Sequence, residues 1–155
     1  MSPSRPHILL IILDTLRRDR LSAYGNTRET SPEFDAFAGQ GTLFERAVAP
    51  AQWTIPSHSS IFTGLYPSTH QVTQSSSSLS GSYPTLAEIL RGEGYHTVAF
   101  CNNTLVGVLN NGLQRGFERF YNYASAAPFR PKEAQRNHLH RTALRFFRRN
   151  FARPL

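Results

Sequence analysis

A hydroxyl and a carboxylate stand at the two places in this sequence where local patterning would make them reactive. Thr54 lies in the run Trp53-Thr54-Ile55-Pro56-Ser57-His58-Ser59-Ser60-Ile61-Phe62-Thr63-Gly64. Pro56 and Ser57 predict a helix that opens there, runs to Phe62 and ends before Gly64. Thr54 then falls just before the helix N-terminus, where free N–H groups and the helix dipole favour an anionic oxygen or a bound sulfuryl or phosphoryl group. A hydroxyl in that place can attack such a group once a metal lowers its pKa. The same residue types also suit plain N-capping by Thr54 or Ser57, and on residue chemistry alone capping is the better account. Asp14 ends the apolar run of residues 7–13 (HILLIIL). A carboxylate at the C-terminal end of a buried parallel strand stands where open α/β sheets bind ligands, and hard cations need such oxygens. The ordinary alternative is that Asp14 caps the turn over residues 16–20.

Other polar residues say less. His70 either lines the site or makes a structural hydrogen bond. Asn102 and Asn103, after the second apolar strand, either face a substrate or begin a turn. His7 and His96 begin apolar strands and read as structural, and Cys101 as a small core residue.

The elements that must position these groups alternate. Residues 7–13 suit a central parallel strand buried on both faces. Thr30-Ser31-Pro32-Glu33 starts a helix with a hydroxyl cap; Phe34, Phe37 and Ala38 share one face, and Gly39 and Gly41 end it. Residues 42–49 alternate as a strand. Residues 74–82 (QSSSSLSGS) form a Ser-rich loop. Residues 84–90 form a short amphipathic helix closed by Gly92 and Gly94, leading into a strand over residues 95–101. Strand, helices and strand again give the rhythm of an α/β fold with a parallel sheet.

Composition narrows the function classes. A chain of 155 residues, 39% hydrophobic and 12% aromatic, can bury one core. No stretch reaches the roughly 20 apolar residues that span a bilayer, and no signal peptide is evident. A single cysteine excludes an internal disulfide framework. These features predict a cytoplasmic protein. The net charge of +7 is uneven: from Arg115 onward ten Lys or Arg face only Glu118 and Glu133, leaving the first 114 residues at −1. Leu139, Ala143, Phe147 and Phe151 recur every four residues among those arginines. Such a basic helix can lie peripherally on an anionic membrane surface, although a solvated face packed on its own domain is the commoner outcome. No nucleic-acid module is recognisable, so no nucleic-acid partner is expected.

Several stretches together resemble the N-terminal part of the sulfatase family, in the alkaline phosphatase superfamily. The opening residues 7–17 look like the family's first strand and its metal-binding Asp. Thr30-Ser31-Pro32 with Phe34-Asp35, and Phe44-Glu45-Arg46-Ala47-Val48-Ala49-Pro50, resemble its approach to the nucleophile. Thr54-Ile55-Pro56-Ser57-His58 with Thr63-Gly64 and Tyr66-Pro67 resembles the motif Cys or Ser, any residue, Pro, Ser, Arg, with Thr-Gly beyond. Asn102-Asn103 and Gly116-Phe117-Glu118-Arg119-Phe120 resemble the segment that follows. The similarity spans about residues 5–123, with the motifs in order.

The resemblance implies an alkaline phosphatase-like three-layer α/β sandwich with a mainly parallel sheet. Residues 1–123 would form the N-terminal part of the catalytic domain, and residues 124–155 a basic helical tail. It implies Thr54 as nucleophile and metal ligand, Asp14 as metal ligand, and His58 where the family carries an Arg that assists the nucleophile. His70, Asn102 and Asn103 become candidate substrate-binding residues. A small anionic ester is the implied substrate, and a divalent metal (Ca, Mg, Mn or Zn) the implied cofactor. The family often has two adjacent Asp at the strand end; here the second position is Thr15. Sulfatases convert Cys or Ser to formylglycine, but Thr54 already bears a methyl group on its β-carbon, so no formylglycine is expected. Superfamily members with Thr resemble phosphoethanolamine or phosphoglycerol transferases and phosphodiesterases. Phosphoryl transfer is therefore favoured over sulfate-ester hydrolysis. The family's further metal ligands fall beyond residue 155, which makes the chain look truncated and predicts weak or no catalysis by it alone. The alternative from another class is a non-catalytic remnant that binds an anionic membrane or acidic partner through its tail.

Overall fold

The structure is a computed structural model, and it describes residues 5–124. The expected basic tail lies outside the described residues. The chain divides into two compact units, Met1–Ala49 and Pro50–Leu155.

In the first unit, short 3-10 turns at Arg18–Arg20 and Ser22–Tyr24 precede helix α1, Pro32–Ala38. Proline in the first turn of α1 is as the sequence predicts, and the helix ends at Gly39. The hydroxyl cap is not: Ser31 makes no capping bond. Its Oγ instead donates to Asp35 Oδ1 at 2.9 Å, and the Ala23 N–H donates to the same oxygen at 2.9 Å. Ser22 and Ser31 hydroxyls lie 3.0 Å apart. Hydrogen bonds from Ser22, Ser31 and the Ala23 N–H hold the Asp35 carboxyl below the usual carboxylate range.

Two predicted strands are absent. Residues 7–13 form no strand, and Ile8, Leu9, Leu10, Ile11 and Leu13 are exposed. Residues 42–49 are also irregular, with Phe44 and Val48 exposed. Apolar content favours burial, but a strand exists only where a neighbour accepts its backbone bonds, and no described residue does so here.

The second unit contains helices α2 (Thr54–Thr63), α3 (Pro67–His70) and α4 (Leu86–Gly92), then strands β1 (Val98–Cys101) and β2 (Arg119–Asn122). The strands run parallel, Val98 opposite Arg119 and Cys101 opposite Asn122. Their connection, residues 102–118, is a run of turns and bends rather than the usual helix. The described sheet is thus small, parallel and part of a mixed α/β arrangement, in line with the expected fold class. Ile55, Val72 and Leu79 form the buried cluster, with Trp53 and Leu105 against it.

Helix α4 begins two residues later than its proline suggests, because Thr85 is its cap. Thr85 Oγ1 accepts from the Glu88 N–H at 3.2 Å, and Glu88 Oε2 accepts from the Thr85 N–H at 2.8 Å. The Thr85 hydroxyl also donates to the Arg115 carbonyl at 3.1 Å. Arg115 was grouped by charge with the basic tail, but it is a structural clamp. Its guanidinium donates to Ser80 O at 3.0 Å and Tyr83 O at 2.6 Å and lies 3.5 Å from Glu88 Oε2. Thr85→Ala removes both roles of one buried hydroxyl and is expected to destabilise this unit by about 1–2 kcal/mol. Urea unfolding checks this, with Thr85→Ser staying near wild type; an Ala variant with an unchanged midpoint would show the box contributes nothing.

Candidate active site

Helix α2 carries the predicted nucleophile, one position differently from the sequence expectation. Trp53, extended at φ −147° and ψ 171°, is the N-cap, so Thr54 is the first helical residue rather than the one before it. Pro56 then sits in the first turn, where its missing N–H has no intrahelical partner to lose. Gly64, at φ 70°, closes the helix as expected, its N–H donating to Ser60 O at 2.8 Å.

The helix buries polar residues: His58, Ser59 and Ser60 all lie inside, beside Ile55 and Pro56. It does so by returning side-chain bonds to its own backbone. Ser59 Oγ donates to Ile55 O at 2.8 Å and Thr63 Oγ1 to Ser59 O at 2.6 Å. His58 Nδ1 lies 2.9 Å from Thr54 O. A carbonyl oxygen only accepts, so Nδ1 carries the proton.

His70, a candidate substrate contact, is buried with both ring nitrogens engaged. The Val72 N–H donates to Nδ1 at 3.0 Å, and Nε2 lies 3.0 Å from Ser60 Oγ. Since a backbone N–H only donates, the ring is neutral with its proton on Nε2. It ties α3 to α2. Burial pushes its pKa down, partly countered by the Pro56 backbone. The unfolded chain therefore binds the extra proton more readily, and stability falls as pH drops through the range just below 6.5. A decrease in melting temperature on the order of a few degrees is expected between neutral pH and about pH 5. His70→Gln should start less stable and lose much of that acid sensitivity. Equal acid slopes in the two proteins would refute this assignment.

Asn103 begins a turn: its Oδ1 accepts from the Leu105 N–H at 2.8 Å, and its carbonyl from Asn122 Nδ2 at 2.7 Å. Asn102, beside it at the end of β1, is exposed. Cys101 accepts from the Asn103 N–H at 3.3 Å. His96 is exposed and bonded to Glu118 Oε2 at 3.0 Å, across from the other strand, which holds the Glu118 carboxyl below its usual range.

Asp14 belongs to the other unit, at the end of the apolar run. Thr15 occupies φ 63°, a left-handed conformation that a β-branched residue rarely adopts. Sequence reasoning missed this strained backbone next to the candidate ligand; only a departure from the expected Asp at that position marked it. Among the described residues no group of three or more His, Cys, Asp or Glu could hold a metal ion. Neither Asp14 nor Thr54 alone, each in its own unit, supplies the oxygen set that a hard divalent cation takes.

The small parallel sheet with helices is the fold of a segment of the alkaline phosphatase superfamily. The solved phosphonate monoester hydrolase of Agrobacterium radiobacter matches it with a TM-score of 0.68 at 27% identity, covering 96% of this chain and 30% of that one. The Sulfatase family profile matches residues 6–141, and the chain belongs to the sulfatase family. That match reaches further than the residues 5–123 legible from the motifs. The chain is 31% identical over 138 residues to steryl-sulfatase of Mus musculus, covering 77% of this chain and 22% of that protein. It is 34% identical over 123 residues to an arylsulfatase of Clostridium perfringens, covering 75% and 26%. An N-acetylgalactosamine-6-O-sulfatase of Bacteroides thetaiotaomicron is 34% identical over 98 residues, covering 60% and 19%. The chain therefore spans about a fifth to a quarter of the length of these relatives.

Proposed function

We propose that this chain is the nucleophile-bearing portion of a sulfatase-family hydrolase or transferase for small anionic phosphate or sulfate esters, with phosphoryl transfer through Thr54 favoured. The observation that carries the reading is the placement of Thr54 as first residue of α2, at the positive end of the helix dipole. The solved relative is named for a phosphorus ester and the curated relatives for sulfate esters, and both are small anionic groups.

Thr54 Oγ attacks phosphorus, the bond from phosphorus to the leaving alcohol breaks, and the hydroxyl proton leaves with base or solvent. The phosphothreonine formed is resolved by water or an acceptor alcohol. The threonine methyl supports this choice over sulfate-ester hydrolysis, since Thr54 cannot become formylglycine, whose hydrate expels sulfate by collapsing to the aldehyde. Asp14 is the proposed metal ligand, and Asn102, exposed at the strand end, remains the accessible candidate for substrate contact. No step is assigned to a metal, because the described residues do not complete a site for one. Among the described residues no helix is long and apolar enough to cross a membrane. The alternative of binding through the basic tail falls on residues outside those described.

The test is to treat both this chain and the longest in-frame product of its gene with an aryl phosphodiester. Tandem mass spectrometry then maps any phosphoryl adduct. An adduct on the peptide carrying Thr54, found in the longer product and scarce in the 155-residue chain, is the expected result. Turnover without an adduct, undiminished in Thr54→Ala, would sink the proposal.

A further inference from the structure

We propose that His58 is a positioning residue for Thr54, acting through the Thr54 carbonyl rather than as a cation directed at substrate, and that the ring series Phe62, Phe117 and Phe120 holds it there. The inference rests on the reading of Thr54 as nucleophile and assigns a role to the residue that replaces the family's Arg.

The first residue of a helix is where the backbone frays most readily. Thr54 O is the carbonyl that helical geometry pairs with the His58 N–H, and the His58 ring donates a second bond to the same oxygen at 2.9 Å. One buried residue thus grips the nucleophile's peptide twice. The imidazole has little freedom to let go. It meets the Phe62 ring edge-on at 6.0 Å and 88°, Phe62 meets Phe117 at 6.1 Å and 67°, and Phe117 meets Phe120 of β2 at 5.5 Å and 71°. These are favoured edge-to-face separations. Phe120 is itself confined, because even a Cβ on Gly107 would fall 2.2 Å from its ring. The series runs from the sheet to the first turn of α2, so strand packing sets the place of the attacking residue.

The geometry also requires opposite tautomers in two neighbouring buried histidines. His58 carries its proton on Nδ1, bonded to a carbonyl, and His70 carries it on Nε2, because Nδ1 accepts an N–H. Ring nitrogen-15 spectra of the 155-residue chain at one neutral pH read this directly, without any turnover. The expected pattern is Nδ1–H for His58 and Nε2–H for His70; an Nε2–H tautomer at His58 overturns the proposal.

Substitution then separates position from charge. Asn places an N–H near the position of Nδ1, whereas Gln places one near Nε2. The backbone order parameters of Thr54 and Ile55 should fall in His58→Gln and recover in His58→Asn. In the active product, His58→Gln should lose roughly 10²-fold in kcat with KM little changed, because a small misplacement of the attacking group suffices. His58→Asn should stay within about tenfold of wild type. Equal losses in both variants with a raised KM would make His58 a substrate contact, and order parameters indifferent to either would make the bond incidental; each result overturns the assignment. If Thr54→Ala keeps full activity, the nucleophile reading fails while the tautomer and order measurements still decide the positioning role.

Discussion

Gly116→Ala is expected to lower the urea midpoint of the Pro50–Leu155 unit sharply. Gly116 holds φ 84°, where an L side chain is strained by about 1–2 kcal/mol. A Cβ there would also stand 2.2 Å from the Glu88 nitrogen, 2.6 Å from the Ala87 carbonyl carbon and 2.8 Å from the Glu88 Cα. All three are backbone atoms in the first turn of α4, so no rotamer change relieves the overlap. Nor can the turn retreat. Thr85 and Glu88 lock it by the capping box, Arg115 holds Tyr83 O, and Thr97 Oγ1 donates to the Gly116 carbonyl at 2.6 Å. Overpacking against fixed atoms adds roughly 1–3 kcal/mol or more, and the sum is a large share of the ~5–15 kcal/mol that holds an ordinary domain together. Gly92→Ala is the internal control. Nothing lies within 4 Å of its added Cβ, and it ends α4 without a positive φ, so it should be neutral or stabilise by up to about 1 kcal/mol. Urea melts of the two variants beside wild type check both signs. A Gly116→Ala midpoint equal to wild type would mean that α4 and the 112–118 turn do not approach as closely as described.

That close approach was invisible in the sequence, and the reason generalises to what was legible. Local signals worked where local physics decides. Proline in the first turn and glycine past the end mark α1 and α2, whereas the start of α4 was placed at its proline and the Thr85–Glu88 capping box was missed. The strand over residues 95–101 was seen but shortens to Val98–Cys101, because β2 offers partners for only those four residues. Residues 7–13 and 42–49 failed for the same reason taken further. Alternation and apolar runs report a preference for burial, whereas a strand is a property of a pair. Arg115 failed because charge counting cannot tell a solvated arginine from one spanning Ser80 O and Tyr83 O. Thr54 falls one helical position from where the helix signals put it. The competing bonds of His70 and Asn103 could not be read, since each depends on a loop conformation that residue types alone do not specify.

On the proposed mechanism, Thr54→Ala should lower phosphoryl transfer by at least about 10³-fold, because it removes the proposed attacking oxygen. The loss is separable from folding. Thr54 is the first residue of α2 and only partly buried, and the His58 bond goes to its carbonyl, which Ala and Ser both keep. Stability should therefore change by no more than about 0.5–1 kcal/mol, well short of unfolding the helix. Thr54→Ser retains the hydroxyl and loses only the methyl, so it should stay within about tenfold of wild type in transfer. Thr54→Cys is the informative third member. It supplies a residue that sulfatases convert to formylglycine, within Cys-Ile-Pro-Ser but followed by His58 rather than Arg. If sulfate-ester cleavage by the active product appears only in the Cys variant, and phosphoester transfer only in Thr and Ser, the methyl of Thr54 sets the reaction class. If wild type cleaves sulfate esters and Thr54→Ala does so equally well, the attacking group lies elsewhere. The first residue of α2 would then be what local chemistry alone suggested, a helix-terminal hydroxyl with a structural task.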